Sequence, residues 1–318
     1  MKKNILLSIV FLTICLSSKG LAEDEKILFK IKPDDTVFII MPDTVSEVSR
    51  SFMKIYDEYW NFSKKRYIST EERLLLAEPG NWFFGFSMRK HTYLRSDDKG
   101  SYPVTEVSLS LSLYTYEFEQ NKKGDSLLEC NSLYDISLHL KDYQYFRRMV
   151  PLENFSGPFY KLDTTRYDLY GKVKYWGPGI LKNHIQKISM YAKAKYMPYS
   201  WDERNKSDNP NDLPNLKNHV LYIPFDCFSI HDTEKDIKKV LEDYPYECEG
   251  ISTEDLNRKI VASEGKIYYL TCFFGVSDKS INIINSKTGQ VIYRDFQDSS
   301  HKLKKKDLKK IVNRINGE

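Results

Sequence analysis

The chain has 318 residues with 48 basic and 44 acidic side chains, so it is longer than one typical domain and close to electrical neutrality. Nucleic-acid binding needs a clustered excess of cations, which this composition does not provide, and we therefore expect no nucleic-acid partner.

The first 22 residues have the three-part pattern of a secretory signal. Lys2 and Lys3 form a positive start, residues 5–16 are mostly apolar, and Gly20 and Ala22 are small residues at the two positions that a signal peptidase recognises. The apolar run is too short to remain as a membrane span. We therefore expect a periplasmic or secreted protein with a cleavable signal over residues 1–22 and no stable transmembrane segment after its removal.

The remaining chain shows one order of elements twice, at an offset of about 183 residues. Each half begins with a short apolar run typical of a buried strand, at 37–40 and at 220–223, followed by apolar residues at helical spacing. Each half then has an Ile-Ser-Thr-Glu phrase, beginning at Ile68 and at Ile251, in which the serine predicts the start of a second helix. An aromatic strand follows in both, at 81–87 and at 266–274. This agreement predicts an internal repeat.

The later part of each half predicts an antiparallel strand pair and a closing helix. In the first half, apolar and polar residues alternate over 105–118 and 132–145. In the second half, the segments 280–285 and 290–294 flank a tight turn that ends in Gly289. Each unit is β-α-β-α-β-β-β-α, in which the first three strands are parallel with right-handed crossovers. We predict an α/β fold class with α+β character at the sheet edge, as two tandem related domains, each a mixed sheet flanked by helices.

The predicted domain boundaries follow from the repeat and from one polar segment. After a tail at 23–33, the first mixed α/β domain covers 34–200 and the second, smaller one covers 219–318. Residues 201–218 are rich in Asn, Asp, Pro and Lys with little periodicity, which is typical of a linker. Its oxygen-bearing side chains do not have the spacing of an EF-hand, so we assign no metal to it.

The sequence contains few signs of chemistry. The loops after the first strand of each half contain no glycine, which disfavours dinucleotide binding, and H-E-x-x-H, paired C-x-x-C and G-x-S-x-G motifs are absent. We therefore expect no cofactor. One local cluster, Asp226, Cys227 and His231, follows a predicted parallel strand, where catalytic sites are common. A Cys-His pair could supply a thiolate nucleophile, although Asp232 is expected to cap the next helix.

Four cysteines remain after removal of the signal: Cys130, Cys227, Cys248 and Cys272. Cys227 and Cys248 are expected at opposite ends of the second sheet, roughly 16 Å apart along a five-residue strand. A disulfide requires Cα atoms within about 7 Å, so this pair is not expected. Cys272 lies on the third strand, beside the first, and Cys227–Cys272 is the favoured pair. The alternative is that all four thiols are reduced and buried.

These features favour an exported, non-enzymatic binding or interaction module of the bacterial cell envelope, with a protein or a surface glycan as its ligand. Two alternatives stay open at this point. One is an exported hydrolase or thiol enzyme that uses the region of Cys227 and His231. The other is a structural subunit of an envelope assembly.

Overall fold

The computed structural model describes most of the chain after residue 26. Several predicted segments lie outside the described residues: the signal, residues 23–26 of the tail, residues 139–145 of the strand 132–145, and residues 198–205, where the linker begins. The described residues are 27–41, 43, 45–97, 100–120, 126–138, 176–197, 206–229, 231–274, 278–298 and 302–318.

The first half contains a five-stranded mixed sheet. Its elements, with a short strand at either end of the half, are β1 (Ile27–Leu28), β2 (Thr36–Ile40), α1 (Glu47–Tyr59), β3 (Lys64–Ile68), α2 (Thr70–Leu75), β4 (Trp82–Asp97), β5 (Gly100–Gln120), β6 (Ser126–Leu138), α3 (Pro178–Ala194) and β7 (Tyr196–Met197). The sheet order is β3-β2-β4-β5-β6, in which β2 is parallel to β3 and β4, and the pairs β4–β5 and β5–β6 are antiparallel. Strands β1 and β7 form a separate antiparallel pair.

The second half contains a second five-stranded mixed sheet. Its elements are a 3-10 helix (Pro210–Asn218), β8 (Leu221–Pro224), a short 3-10 helix (Phe225–Cys227), α4 (Glu234–Leu241), β9 (Cys248–Ile251), α5 (Thr253–Ala262), β10 (Tyr268–Phe274), β11 (Asp278–Asn285), β12 (Gln290–Asp298) and α6 (Lys305–Asn316). The sheet order is β12-β11-β10-β8-β9, with β8 parallel to β9 and β10 and the remaining pairs antiparallel.

The prediction of a mixed α/β fold, with two mixed sheets flanked by helices, is confirmed. The two five-stranded sheets share one order: β2 lies between β3 and β4 as β8 lies between β9 and β10, and the last two strands of each sheet continue outward from β4 and from β10. Whether the halves are separate, related domains stays a prediction.

Local capping explains where the helices begin. The Ser69 hydroxyl accepts the Glu72 N–H at 3.1 Å while the Glu72 carboxylate accepts the Ser69 N–H at 2.9 Å, which is the capping box that the sequence predicts. The expectation that Asp232 caps α4 is wrong, because Thr233 occupies that position and its hydroxyl accepts the Asp236 N–H. Asp232 lies one residue too early and accepts the Ser229 N–H and the Lys302 ammonium instead.

Two main hydrophobic cores hold the sheets to their helices. In the first, Val37 and Ile39 of β2 pack with Phe52 of α1 and Ile185 of α3. Full burial of one such side chain stabilises the fold by about 1.5–3 kcal/mol. Ile180, also on α3, belongs to the second core. Helix α3 therefore contacts both halves.

Helix α3 is joined to the second half by buried polar contacts. Gly177 at its N-cap has no side chain, and Asn257 of α5 takes over the capping role, since its Oδ1 accepts the Ile180 N–H at 3.0 Å. One turn further on, the Oδ1 of Asn183 accepts the Tyr269 hydroxyl at 2.9 Å. These bonds fix α3 against the second sheet.

The described part of the predicted linker is packed rather than free. The 3-10 helix Pro210–Asn218 buries Leu213 and Leu216, which are three residues apart and lie on one side because side chains at i and i+3 eclipse in this type of helix. Just before it, the Asp208 N–H donates to Val291 O at 2.7 Å, next to the edge of β12. The domain boundaries themselves stay predictions.

Candidate functional site

The candidate cluster of Asp226, Cys227 and His231 is not assembled into one site. The Cys227 side chain is fully buried, whereas His231 is exposed and its backbone N–H donates to the Ser229 hydroxyl. The carboxylate of Asp226 accepts the Thr253 hydroxyl at 2.7 Å, which ties the turn after β8 to the first turn of α5. The geometry therefore does not present a thiolate and an imidazole to a common substrate.

Cys227 turns into the protein and meets Cys272 there. The turn Phe225–Cys227 directs the Cys227 thiol inward, where it lies 4.0 Å from Leu270 O on β10. The side chain of Cys272, two residues after Leu270 on the same strand, contacts this thiol. Both thiols are reduced and buried. Burial and the neighbouring Cys227 raise the pKa of the Cys272 thiol well above its ordinary value.

Cys248 lies elsewhere in the sheet. It is the register partner of Leu221, at the start of β8, whereas Cys227 follows the end of that strand. Its thiol is half-buried and donates to Leu241 O at 3.8 Å. The side chain of Cys130, on β6, lies outside the described residues.

A buried ion pair lies close to the two thiols. The Lys279 ammonium on β11 is 2.5 Å from Oδ2 of Asp307 on α6, and both side chains are completely inaccessible to solvent. Lys279 also donates to Lys302 O, and Asp307 Oδ2 accepts the Lys304 N–H at 2.8 Å. Within the part of the chain that the structure describes, the second oxygen of Asp307 has no hydrogen-bond partner. The pair fastens α6 to the sheet, and its full burial separates it from any substrate.

A second buried carboxylate, Asp212, lies within the predicted linker. It accepts the side-chain amides of Asn285 and Asn215, each at 2.5 Å, the Tyr268 hydroxyl at 3.1 Å and the Lys266 ammonium at 3.2 Å. Burial raises the pKa of Asp212, but these hydrogen bonds outweigh it and the net pKa is lowered. Its oxygens are occupied by donors of the protein itself, so the cluster is a structural brace.

The sheet of the first half extends into a long ribbon. Strands β4 and β5 pair without interruption from Trp82 opposite Thr115 to Asp97 opposite Gly100. Strand β2 covers β4 only as far as Phe84, and β6 pairs with β5 only from residue 109 onward. Among the described residues, 89–97 and 100–108 therefore pair only with each other, over roughly 30 Å.

The two edges of this ribbon differ. Pro103 on β5 has no N–H, and a ladder accepts proline where the backbone N points away from the paired strand. In an antiparallel pair, two directly opposed residues either bond to each other through N–H and C=O or both direct these groups away from the pair. Leu94 is opposite Pro103, so it directs its N–H and C=O to the outer edge of β4. Because this direction alternates along a strand, the N–H and C=O groups of Thr92 and Lys90 also point to the outer edge of β4. Proline interrupts the β5 edge, while the β4 edge keeps its donors and acceptors.

Among the described residues, no strand pairs with the β4 edge beyond Phe84. The ribbon is the part of the fold that sequence reasoning missed: it placed the strand at 81–87, and the structure extends it to Asp97.

No known protein family matches the chain, and no curated protein or solved structure is significantly similar to it. Among the described side chains, no group of three or more His, Cys, Asp or Glu residues is placed to hold a metal ion. None of the described helices combines the length and apolar character that crossing a membrane requires.

Proposed function

We propose that this chain is an exported, non-enzymatic binding module of the cell envelope whose ligand is an extended segment of another protein. The observation that carries the proposal is the edge of β4 over residues 88–97, with which no strand among the described residues pairs. An exposed strand edge binds a peptide by adding it to the sheet, because main-chain donors and acceptors of the two strands then pair. A glycan does not offer this regular alternation, so a protein ligand is the better match.

The sequence of this edge also favours a charge for the ligand. Residues 88–97 contain Arg89, Lys90 and Arg95 against one acid, Asp97. Oppositely charged cross-strand neighbours stabilise a pair, so the partner strand is expected to be acidic. The length of the segment suits an added strand of the usual five or six residues.

The geometry around Cys227 is the reason to prefer binding over thiol or hydrolytic chemistry. Its thiol is inside the protein and His231 is on the surface. The same proposal includes export by a signal at 1–22 and an origin of the two halves by duplication, supported by their shared strand order.

A proline substitution tests the edge directly. Thr92→Pro removes one outward N–H from β4 without breaking a bond to β5, and Thr92→Val at the same position keeps that N–H. Tagged mature protein and both variants are incubated with an envelope fraction of the native host, and captured proteins are identified by mass spectrometry. We expect the parent and Thr92→Val to capture one common protein, and Thr92→Pro to lose at least about nine-tenths of it, as expected when a strand can no longer be added.

Circular dichroism confirms that all three proteins are folded. Equal capture by Thr92→Pro would overturn the proposal, as would an edge-dependent dimer of this chain in place of a foreign ligand. Export is checked separately by N-terminal sequencing from the host: we expect the protein to start at Glu23, and retained Met1 would contradict export.

A further inference from the structure

We infer that Cys227 and Cys272 are a disulfide site that is oxidised while the chain folds and is then sealed inside the second half. The inference is independent of the proposed ligand. It rests on the position of the two thiols, their burial and the segment that closes over them.

The fold brings these two cysteines together from 45 residues apart in sequence. Strands β8 and β10 are parallel neighbours, with Leu221 opposite Tyr268. The turn after β8 reverses the chain, so that the Cys227 thiol approaches Leu270 O and the Cys272 side chain on β10. The direct contact between the two side chains is the arrangement from which a disulfide forms.

The site is closed by the chain that leads into α6. The Leu303 N–H donates to Cys227 O at 2.8 Å, and Leu303 and Leu308 are both buried against the second core. The Lys279–Asp307 pair fastens α6 in this position. Because both thiols are almost completely inaccessible, an oxidant cannot reach them after α6 has docked.

The protonation of Cys272 also protects the folded protein from oxidation. Disulfide exchange requires a thiolate, and burial raises the pKa of Cys272, so this residue is mostly protonated in the folded, reduced protein. In the unfolded chain the Cys272 thiol is no longer desolvated, and both thiols are accessible. Oxidation is therefore expected during folding.

The reaction is a thiol–disulfide exchange with an external disulfide, for which oxidised glutathione is the probe. The thiolate of one cysteine attacks a glutathione sulfur, forming a mixed disulfide and releasing one glutathione thiolate. The second cysteine's thiolate then attacks the protein sulfur of the mixed disulfide, forming the Cys227–Cys272 bond and releasing the second glutathione. Two protein thiols are oxidised, one glutathione disulfide is reduced, and the two thiol protons pass to the released glutathione.

The test compares two starting states of the mature chain in one glutathione buffer. One sample is unfolded and reduced and is then refolded in the buffer, and the other is the folded, reduced protein placed in it directly. Non-reducing peptide mapping should show a Cys227–Cys272 crosslink in the refolded sample, with a mass lower by two hydrogens. The folded sample should form it at least about tenfold more slowly, because its thiols are protected.

Two variants provide the controls. Cys248→Ser should still form the crosslink, since Cys248 lies on β9 beside the start of β8, whereas Cys227 follows the end of β8. Cys272→Ser should not form it, and the map of the parent chain decides the matter even where this variant folds poorly. Four free thiols after refolding, or a crosslink from Cys227 to Cys248 or Cys130, would overturn the assignment. Equal rates from both starting states would overturn the sealing of the site.

Discussion

Replacing Lys279 by methionine should destabilise the second half strongly. The side chains of Lys279 and Asp307 are completely buried and their charged atoms are 2.5 Å apart. In Lys279→Met the Asp307 carboxylate keeps only the Lys304 N–H as a donor and stays buried with its charge uncompensated. Breaking a buried pair in this way costs about 3–5 kcal/mol of unfolding free energy.

The double variant Lys279→Met/Asp307→Leu should recover most of this loss. It leaves no charge in the interior, and apolar replacement of a buried pair is often neutral or stabilising. What remains is the lost acceptor for the Lys304 N–H at the start of α6, a capping contact of about 1 kcal/mol. The double variant is therefore expected to be more stable than either single one.

Urea unfolding of the four proteins, followed by circular dichroism, measures the pairwise free energy. The exposed pair Lys305–Asp243 is the matched control, since both its side chains are 42% accessible and Lys305→Met should cost less than about 1 kcal/mol. Additive effects of the two single substitutions would refute the reasoning, because independent groups do not form a buried pair.

Three further outcomes are expected. Asp212→Asn should lower the unfolding free energy near neutral pH and make it depend less on pH, as measured by urea unfolding. The folded pKa of Asp212 is lowered, so its carboxylate contributes stability above the unfolded pKa of about 4, and this contribution is lost as the pH falls toward the folded pKa. Asn257→Ala should cost about 2–4 kcal/mol in unfolding free energy, from the lost cap on α3 and the unpaired buried groups, while Arg258→Ala, one residue away on the exposed side, should cost less than about 0.5 kcal/mol. Trypsin should cut after Lys206 well before Lys217, as mapped by mass spectrometry of timed digests, because Lys217 lies in the packed 3-10 helix.

The elements that could be predicted from the sequence are those whose signals are local. The capping box of Ser69 and Glu72 lies within four residues, and the turn before Gly289 needs one residue with positive φ, which glycine supplies at φ 73°. Strands β2 and β8 are short apolar runs in the interior of their sheets. In each case the residues that determine the structure are neighbours in the chain.

The ribbon could not be predicted to its full length for a physical reason. Alternation of apolar and polar residues reports a strand with one buried face. Beyond Phe84, β4 no longer pairs with β2, and over residues 88–97 its described strand partner is β5. Such a segment places few demands on its side chains, so its sequence carries little strand signal.

The positions of the candidate site residues could not be predicted for a related reason. Cys227 and His231 are close in sequence, but the 3-10 turn that ends at Cys227 points its thiol inward while the chain continues to the surface. Asp212 shows the opposite case. It looks like a linker residue, and its partners Lys266 and Tyr268 are more than 50 residues away. Neither outcome is visible from spacing along the chain.

The residues at the start of helix α3 are explained by a contact with α5, which is distant in sequence. Its N-cap glycine supplies no side-chain hydrogen bond, and a Cβ on Gly179 would lie 2.8 Å from the backbone oxygen of Asn257. Both glycines suit α5, which comes close enough for the Asn257 side chain to cap the helix. By itself, the start of α3 looks like a weak helix end that closes the first half. In the structure it is a close-packed contact with the second half, so the stability of the two sheets is coupled through this one helix.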